Sequence, residues 1–462
     1  MVTRYAPRLR LYAEFLPNIS QIAVYVTLAD LPNSSETQNI LEVVPSRDEL
    51  LLSVGDQKRS LRLPARVAPS APSYFPLQPG SASNIDQREF SFRLQVDEGN
   101  QCFPSRDAST PQIPWSAKHM SAETRIKCRA CGNILLEPQG GNRMVWKDLP
   151  SANWAELMDI WHCHKPDSHE DGDHKDKVTH NGPMSTHNES AASKGYGAGN
   201  HTVCQADTVL VDVMNFYVTE TNAIGVESMV PPLDESKNAA DAERQRRQEK
   251  EETSRCSHLP VRCTKCLGIV GQMQPSINGL VLFKSDLMAS RPLQNSSGGG
   301  VLANDCEIYP ADMIISAELL EKIERTGARR YILHRDDNSA TNNGILVWIF
   351  NPDIRYSYLD SDVSNGSPSG GNECKNNDLA TSAQRALKLF YQHTSDIQTL
   401  LNPESGTPSS ASLEELPLPA HIYEQTESLL NSRTTLLPES ARKFREWTVG
   451  LFHVFEEPYS SE

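Results

Sequence analysis

The sequence predicts an α+β protein: an N-terminal antiparallel β-rich domain, a central region tied by paired cysteines, and a C-terminal mixed α/β region. Three observations carry that expectation. Apolar and polar residues alternate with period two in the first third, two Cys-x-x-Cys turns bracket the middle, and the last third mixes short strand-like runs with helical spacing.

In residues 1–115 the segments Leu11 to Leu28, Leu41 to Val54, Arg59 to Val67 and Glu89 to Val96 alternate, as strands with one buried face do. Pro17-Asn18 and Gly55-Asp56 supply turns, and the Pro- and Ser-rich stretch from Pro69 to Ser83 a connector. Such hairpins build an antiparallel sandwich or an open barrel. No polar cluster there suggests chemistry.

The middle region, 116–290, is interrupted by two inserts. Residues 165–200 are rich in His, Asp, Lys, Gly and Ser, including His169, His174, His180 and His187, and residues 228–256 contain the charge run Ala242 to Glu252. Neither can bury enough apolar surface to offset the entropy of ordering, so both are expected as disordered, solvated inserts. Between them Thr208 to Val218 reads as one buried strand.

Residues 301–462 begin with helical spacing from Ser316 to Thr326, with Ser316 a candidate cap, Glu321 one turn before Arg325, and Gly327 as the stop. Strands are expected at Arg330 to His334 and Ile345 to Phe350. Beyond the Ser-, Asn- and Gly-rich stretch Asp360 to Asn377, residues Ala383, Ala386, Leu387, Phe390 and Tyr391 fall on one helical face. A final helix from Glu439 is expected to bury Phe444, Trp447, Leu451 and Phe455.

The ten cysteines are the most informative residues. Met1 to Pro7 contains no apolar leader and no run approaches the ~18 apolar residues of a spanning helix, so the thiols read as reduced, in cytoplasm and nucleus, with no membrane partner. Cys128-Arg129-Ala130-Cys131, followed by Gly132, and Cys263-Thr264-Lys265-Cys266, with Gly268 beyond, are two tight turns whose four sulfurs make the ligand set of one structural Zn2+ site. Unmetallated buried thiols and a redox pair compete with that reading, although no βαβ pattern precedes either turn. The separation far exceeds the roughly 15–20 residues of a zinc ribbon, so one site using both turns ties distant parts of the chain together.

A net charge of -15 opposes direct nucleic-acid binding, which rests on Lys and Arg displacing counterions. The chain lacks Gly-x-Ser-x-Gly, Walker, His-Glu-x-x-His and Gly-x-Gly-x-x-Gly patterns. Cys102, Cys163, Cys204, Cys256, Cys306 and Cys374 remain as uncommitted thiols; a transthiolating cysteine among them needs exposure and a depressed pKa or a nearby base. In Trp161-His162-Cys163-His164 neighbouring side chains point to opposite faces of a strand, so joint ligation requires a turn; a core segment is the other reading.

The stretch Leu149-Pro150-Ser151-Ala152-Asn153-Trp154, followed by Trp161-His162-Cys163-His164, resembles the Leu-Pro-Ser-x-Asn-Trp…Trp-x-Cys-His pattern of the HECT-like ubiquitin-conjugating-enzyme (E2)-binding proteins, with the two cysteine turns flanking it in that family's order. The resemblance runs from about 120 to the C-terminus. It implies an E3 ubiquitin-protein ligase that binds an E2 and promotes ubiquitin transfer to lysines of protein substrates, with an E2-docking surface expected between Val301 and Ile349. It also implies a non-catalytic alternative, a chaperone or inhibitor of the pre-mRNA 3′-end cleavage endonuclease. There Cys163 would enter the partner's zinc centre, with Trp154, Trp161 and His164 orienting the segment. True HECT ligases carry a thioester cysteine near the C-terminus, whereas His421 to Glu462 contain none. Transfer by orienting an E2–ubiquitin thioester needs no such nucleophile.

Overall fold

Strands dominate the residues that the computed structural model describes, which are 8–29, 39–77, 87–97, 99, 112–138, 143–149, 204–229, 259–274, 277–291, 305–336, 342–360, 383–402 and 413–457; three α-helices accompany them. They fall into two units, Met1–Pro114 with Ile308–Glu462, and Trp115–Glu307.

The first third folds into β1 (Arg8–Leu16), β2 (Gln21–Ala29), β3 (Ile40–Val43), β4 (Glu49–Val54), β5 (Gln57–Arg62), β6 (Tyr74–Pro76) and β7 (Gln87–Gln95). Pro17–Ile19 form a 3-10 turn, after which β2 returns antiparallel from Leu16↔Gln21 to Arg8↔Ala29. The alternation has a packing cause. Leu9, Leu11, Ala13, Ile22, Val24, Val26 and Leu94 from β1, β2 and β7 meet Leu41, Val43, Leu50, Leu52 and Leu61 from the four-stranded sheet β5-β4-β3-β6 in one apolar cluster. Two sheets thus pack face to face, each buried Leu or Val contributing about 1.5–3 kcal/mol. The strand expected to reach Val67 ends at Arg62; Val67 makes only an isolated bridge to Val96.

The second unit contains β8 (Arg125–Cys128), β9 (Ile134–Leu136), β10 (Val145–Asp148), β11 (Thr208–Val211), β12 (Asn215–Val218), β13 (Val226–Ser228), β14 (Leu259–Cys263), β15 (Ile269–Gln274), β16 (Gly279–Phe283), β17 (Leu287–Arg291) and β18 (Asp305–Glu307). They form a seven-stranded sheet, β10-β11-β12-β16-β15-β14-β13, and a four-stranded sheet, β18-β17-β8-β9. Thr208 to Val218, expected as one strand, is a hairpin: the amide of Asp212 donates to the Asn215 carbonyl and turns the chain. Both arms are apolar, which hides the turn from a periodicity reading.

The last third contributes α1 (Ala311–Thr326), β19 (Arg330–Arg335), β20 (Gly344–Asp360), β21 (Gln384–Thr394), α2 (Ile397–Leu401), β22 (Leu413–Leu418), α3 (Ala420–Thr434), β23 (Lys443–Phe444) and β24 (Trp447–His453). Its main strands extend the large sheet in the order β23-β24-β21-β20-β1-β2-β7, so first and last thirds share one sheet. β1 pairs with β20 from Arg10↔Asp360 to Phe15↔Arg355, which satisfies the edge that the β1–β2 hairpin would leave open. Three expectations are corrected. The helix starts at Ala311, behind Pro310, so Ser316 is a buried interior residue rather than a cap; Gly327, left-handed at φ 72°, ends it as expected. Residues 384–394 are a strand, not a helix. The segment from Glu439 is a 3-10 turn followed by β23 and β24, with Phe444 exposed.

One buried polar cluster in this unit sets a pH dependence. Tyr356 donates to Gln384 Oε1 at 3.0 Å, its Oη lies 2.7 Å from His453 Nε2, and His453 Nδ1 lies 3.7 Å from Asp312 Oδ2. Burial is the largest influence on His453 and takes its pKa down to about 4; Asp312 opposes that and Arg433 reinforces it. An unfolded histidine titrates near 6.5. Between those values the unfolded chain binds more protons than the folded one, so this contribution is complete above pH ~6.5 and is lost as pH falls towards ~4, by about 3 kcal/mol in total. Urea midpoints of wild type and His453→Gln, compared from pH 7.5 to 4.5, are expected to converge as the pH falls; parallel curves would remove His453 as the cause.

Candidate metal centre

Each cysteine turn closes a hairpin of the second unit, β8 to β9 and β14 to β15. Their backbones repeat one pattern. In the first, the Gly132 amide donates to the Cys128 carbonyl at 2.9 Å and the Cys128 amide to the Asn133 carbonyl at 2.8 Å. In the second, the Leu267 amide donates to the Cys263 carbonyl at 2.9 Å and the Cys263 amide to the Gly268 carbonyl at 2.9 Å. The residue after the second cysteine is left-handed in both, Gly132 at φ 70° and Leu267 at φ 58°. Glycine adopts that conformation freely; leucine does so at a cost of about 1–2 kcal/mol.

The hairpins belong to different sheets of the unit, and three residues that sequence reasoning missed join them. Asn133 Nδ2 lies 3.5 Å from Cys263 Sγ, 3.3 Å from the Gly225 carbonyl and 3.3 Å from Thr264 Oγ1. Both the amide and the hydroxyl of Thr264 donate to the Gly225 carbonyl, at 3.0 and 3.2 Å. Gly225 is required by space: a Cβ there would sit 2.1 Å from the Ile134 carbonyl oxygen. An Asn beside a Cys-x-x-Cys-Gly turn is at least a local hint, but Gly225 carries no sequence signal because its neighbours arrive from remote segments.

The four sulfurs of Cys128, Cys131, Cys263 and Cys266 all lie within 4.8 Å of one another. The short approaches run between turns, 3.7 Å from Cys128 to Cys266 and 3.6 Å from Cys131 to Cys263. A disulfide needs ~2.05 Å. Four sulfurs at ~2.3 Å from a tetrahedral ion stand ~3.8 Å apart, and the two short approaches match that spacing. The set therefore fits a thiolate-bound metal ion. Before any cation is counted, burial pushes the Cys128 thiol up to about 12 and raises Cys131. At Cys263 burial is also the largest influence and acts upward, but the amides of Cys266 and Lys265 and the side chain of Asn133 together bring it down to about 7. Ion binding must expel thiol protons, so affinity falls with pH.

Of the other sequence candidates, Trp154, Trp161, Cys163 and His164 lie outside the described residues, as do Cys102, Cys256 and Cys374. Cys204 is buried beside Gly279 and its pKa is raised by that burial, which suits a packing residue rather than a nucleophile. Cys306, on β18, is half-buried. No helix among the described residues is long and apolar enough to cross a membrane.

Fold and site together define a mostly β-sheet protein whose second unit holds, among its described residues, a four-cysteine cluster able to hold a metal ion. The chain belongs to the HECT-like Ubiquitin-conjugating enzyme (E2)-binding family, whose defining pattern matches residues 14–449. It is 23% identical to an uncharacterized protein of Saccharomyces cerevisiae over 443 residues, covering 95% of this chain and 97% of the relative. It is likewise 23% identical to an uncharacterized protein of Schizosaccharomyces pombe over 362 residues, covering 77% and 82%. No solved structure matches.

Proposed function

We propose that this protein is an E3 ubiquitin-protein ligase, acting in cytoplasm and nucleus, that binds an E2 and promotes transfer of ubiquitin to lysines of protein substrates. The observation that carries the reading is the family match, which spans nearly the whole chain and names E2 binding. The mechanism is one of position. With no cysteine from His421 to Glu462, the chain orients the E2–ubiquitin thioester towards a lysine, and the effective concentration so gained supplies the acceleration. The metal in the four-cysteine cluster is Zn2+ and structural: four protein thiolates complete its tetrahedral shell and leave no position for substrate.

The test is lysine discharge of purified, ubiquitin-charged E2 enzymes, followed on non-reducing gels with and without the full chain. Faster discharge with no reducible ubiquitin adduct on the chain is the expected result. A reducible adduct refutes the orienting mechanism, and unchanged discharge across the E2 panel refutes the ligase. A second reading rests on the Trp161-His162-Cys163-His164 stretch, with Trp154 upstream: a partner-facing segment that engages the zinc centre of the 3′-end cleavage endonuclease. In that reading Cys163→Ser abolishes endonuclease binding and leaves ubiquitin discharge intact.

A further inference from the structure

The first unit carries an aromatic face that its own packing does not consume. Phe390 of β21 is 6% exposed because two other rings cover it: Phe350 of β20, with centroids 5.1 Å apart, and Phe444 of β23, stacked at 5.1 Å and 12°. Those covering rings are themselves 56% and 46% exposed. Trp348 closes the group, edge-on to Phe390 at 5.5 Å. Isolated exposed apolar side chains are ordinary, whereas contiguous aromatic ones with arginine at the margin have the composition of interface hot spots.

The margin is cationic. The Arg330 guanidinium lies 5.4 Å from the Trp348 ring centre and that of Arg445 lies 5.6 Å from the Phe444 ring. Neither forms an ion pair with a carboxylate among the described residues, and the adjoining Lys443 and Glu446 offset each other. Two guanidinium groups are held on aromatic faces in a chain whose net charge is -15. That arrangement selects a partner that inserts apolar side chains between the phenyl rings and brings carboxylates to their edge. A second copy is the wrong partner: a two-fold contact of this face with itself sets like charges against like.

We propose that this face, Phe350 and Phe444 over Phe390 with Arg330 and Arg445 at the rim, is the seat of the E2, which meets it through an apolar loop flanked by acidic residues. The inference rests on the reading that the chain binds an E2, and it moves most of the docking surface beyond the Val301 to Ile349 segment.

The experiment measures Kd between immobilised full-length, Zn2+-loaded protein and a panel of purified E2 enzymes, for wild type, Phe350→Thr/Phe444→Thr and Arg330→Glu/Arg445→Glu. Threonine keeps strand propensity, and both phenylalanines are about half exposed, so the first variant is expected to retain its zinc and melt near wild type. For an E2 that wild type binds, each variant is expected to weaken Kd at least tenfold. The Arg variant should act mainly on the association rate and its salt dependence. Wild-type affinity in both variants overturns the docking site while leaving E2 binding in place. Absence of wild-type binding across the panel overturns both. Loss of a wild-type dimer in the double Phe variant, seen by sedimentation, overturns the E2 in favour of a second copy.

Discussion

Replacing Cys263 by Ser is expected to release the metal and unfold the second unit. Cys263 is fully buried, ends the central strand of the trio β13-β14-β15, and lies 3.6 Å from Cys131 across 132 residues of sequence. Zn2+ held by four thiolates contributes roughly 10–16 kcal/mol to the folding of small metal domains, as much as the whole stability of a typical domain. Beyond the sulfurs, the hydrogen bonds that join the two hairpins among the described residues include those of the Asn133, Thr264 and Gly225 group. Metal analysis of the purified variant and hydrogen exchange of β8, β9, β14 and β15 are the readouts. Zinc near zero with exchange protection lost in all four strands is the expected pair of results, and a strong chelator should reproduce it in wild type, faster at pH 5.5 than at 7.5 because Cys128 and Cys131 hold their protons tightly. Intact protection in the metal-free variant would show that the cluster is not what holds the unit.

The cysteine pairs were readable because their chemistry is local: each turn carries its own spacing, its own amides and a left-handed residue after it. Their meeting was readable only as chemistry, since four thiolates want one ion. The contacts around them were not, because Gly225 and Asn133 approach from segments whose separation no period encodes. The first third was legible for a different reason. Its strands keep one face in the Leu and Val cluster, which preserves the alternation. β21 lost it: Gln384 to Tyr391 read buried or half-buried at every position, so its apolar residues fit a helical face as well as a strand. β24 misled in the same way, with four consecutive buried residues from Val449 to Phe452, although its Trp, Thr, Val and Phe favoured a strand. At α1 the overlooked sign was Pro310 followed by Asp312 in the first turn, a helix start five residues upstream of Ser316.

That same Asp312 is expected to give the largest loss of stability in the first unit, about 3–5 kcal/mol on replacement by Ala. Its side chain is fully buried in the first turn of α1, where the helix dipole favours a carboxylate. Oδ2 accepts from the His453 amide at 3.2 Å and from Arg433 Nε at 3.4 Å, so one carboxylate ties α1 to β24 and α3. Alanine would strand an amide and the guanidinium of an arginine whose side chain is only 21% exposed, and removing one partner of a buried ion pair is costlier than removing both. Asp312→Asn, which keeps an acceptor and the volume, should cost about half as much, and Asp312→Ala with Arg433→Leu should recover part of the loss. Urea midpoints decide it: a loss near zero for Asn beside a full loss for Ala would mean that volume, not the charge of the carboxylate, is what Asp312 contributes. Asp312 also acts on His453. Asp312 raises the pKa of His453 against the pull of burial, so without it the folded-state value drops further below ~6.5 and the window of acid destabilisation widens downward. Asp312→Ala should therefore lose more stability between pH 6.5 and 4 than wild type does, and a narrower window in the variant would separate the two residues.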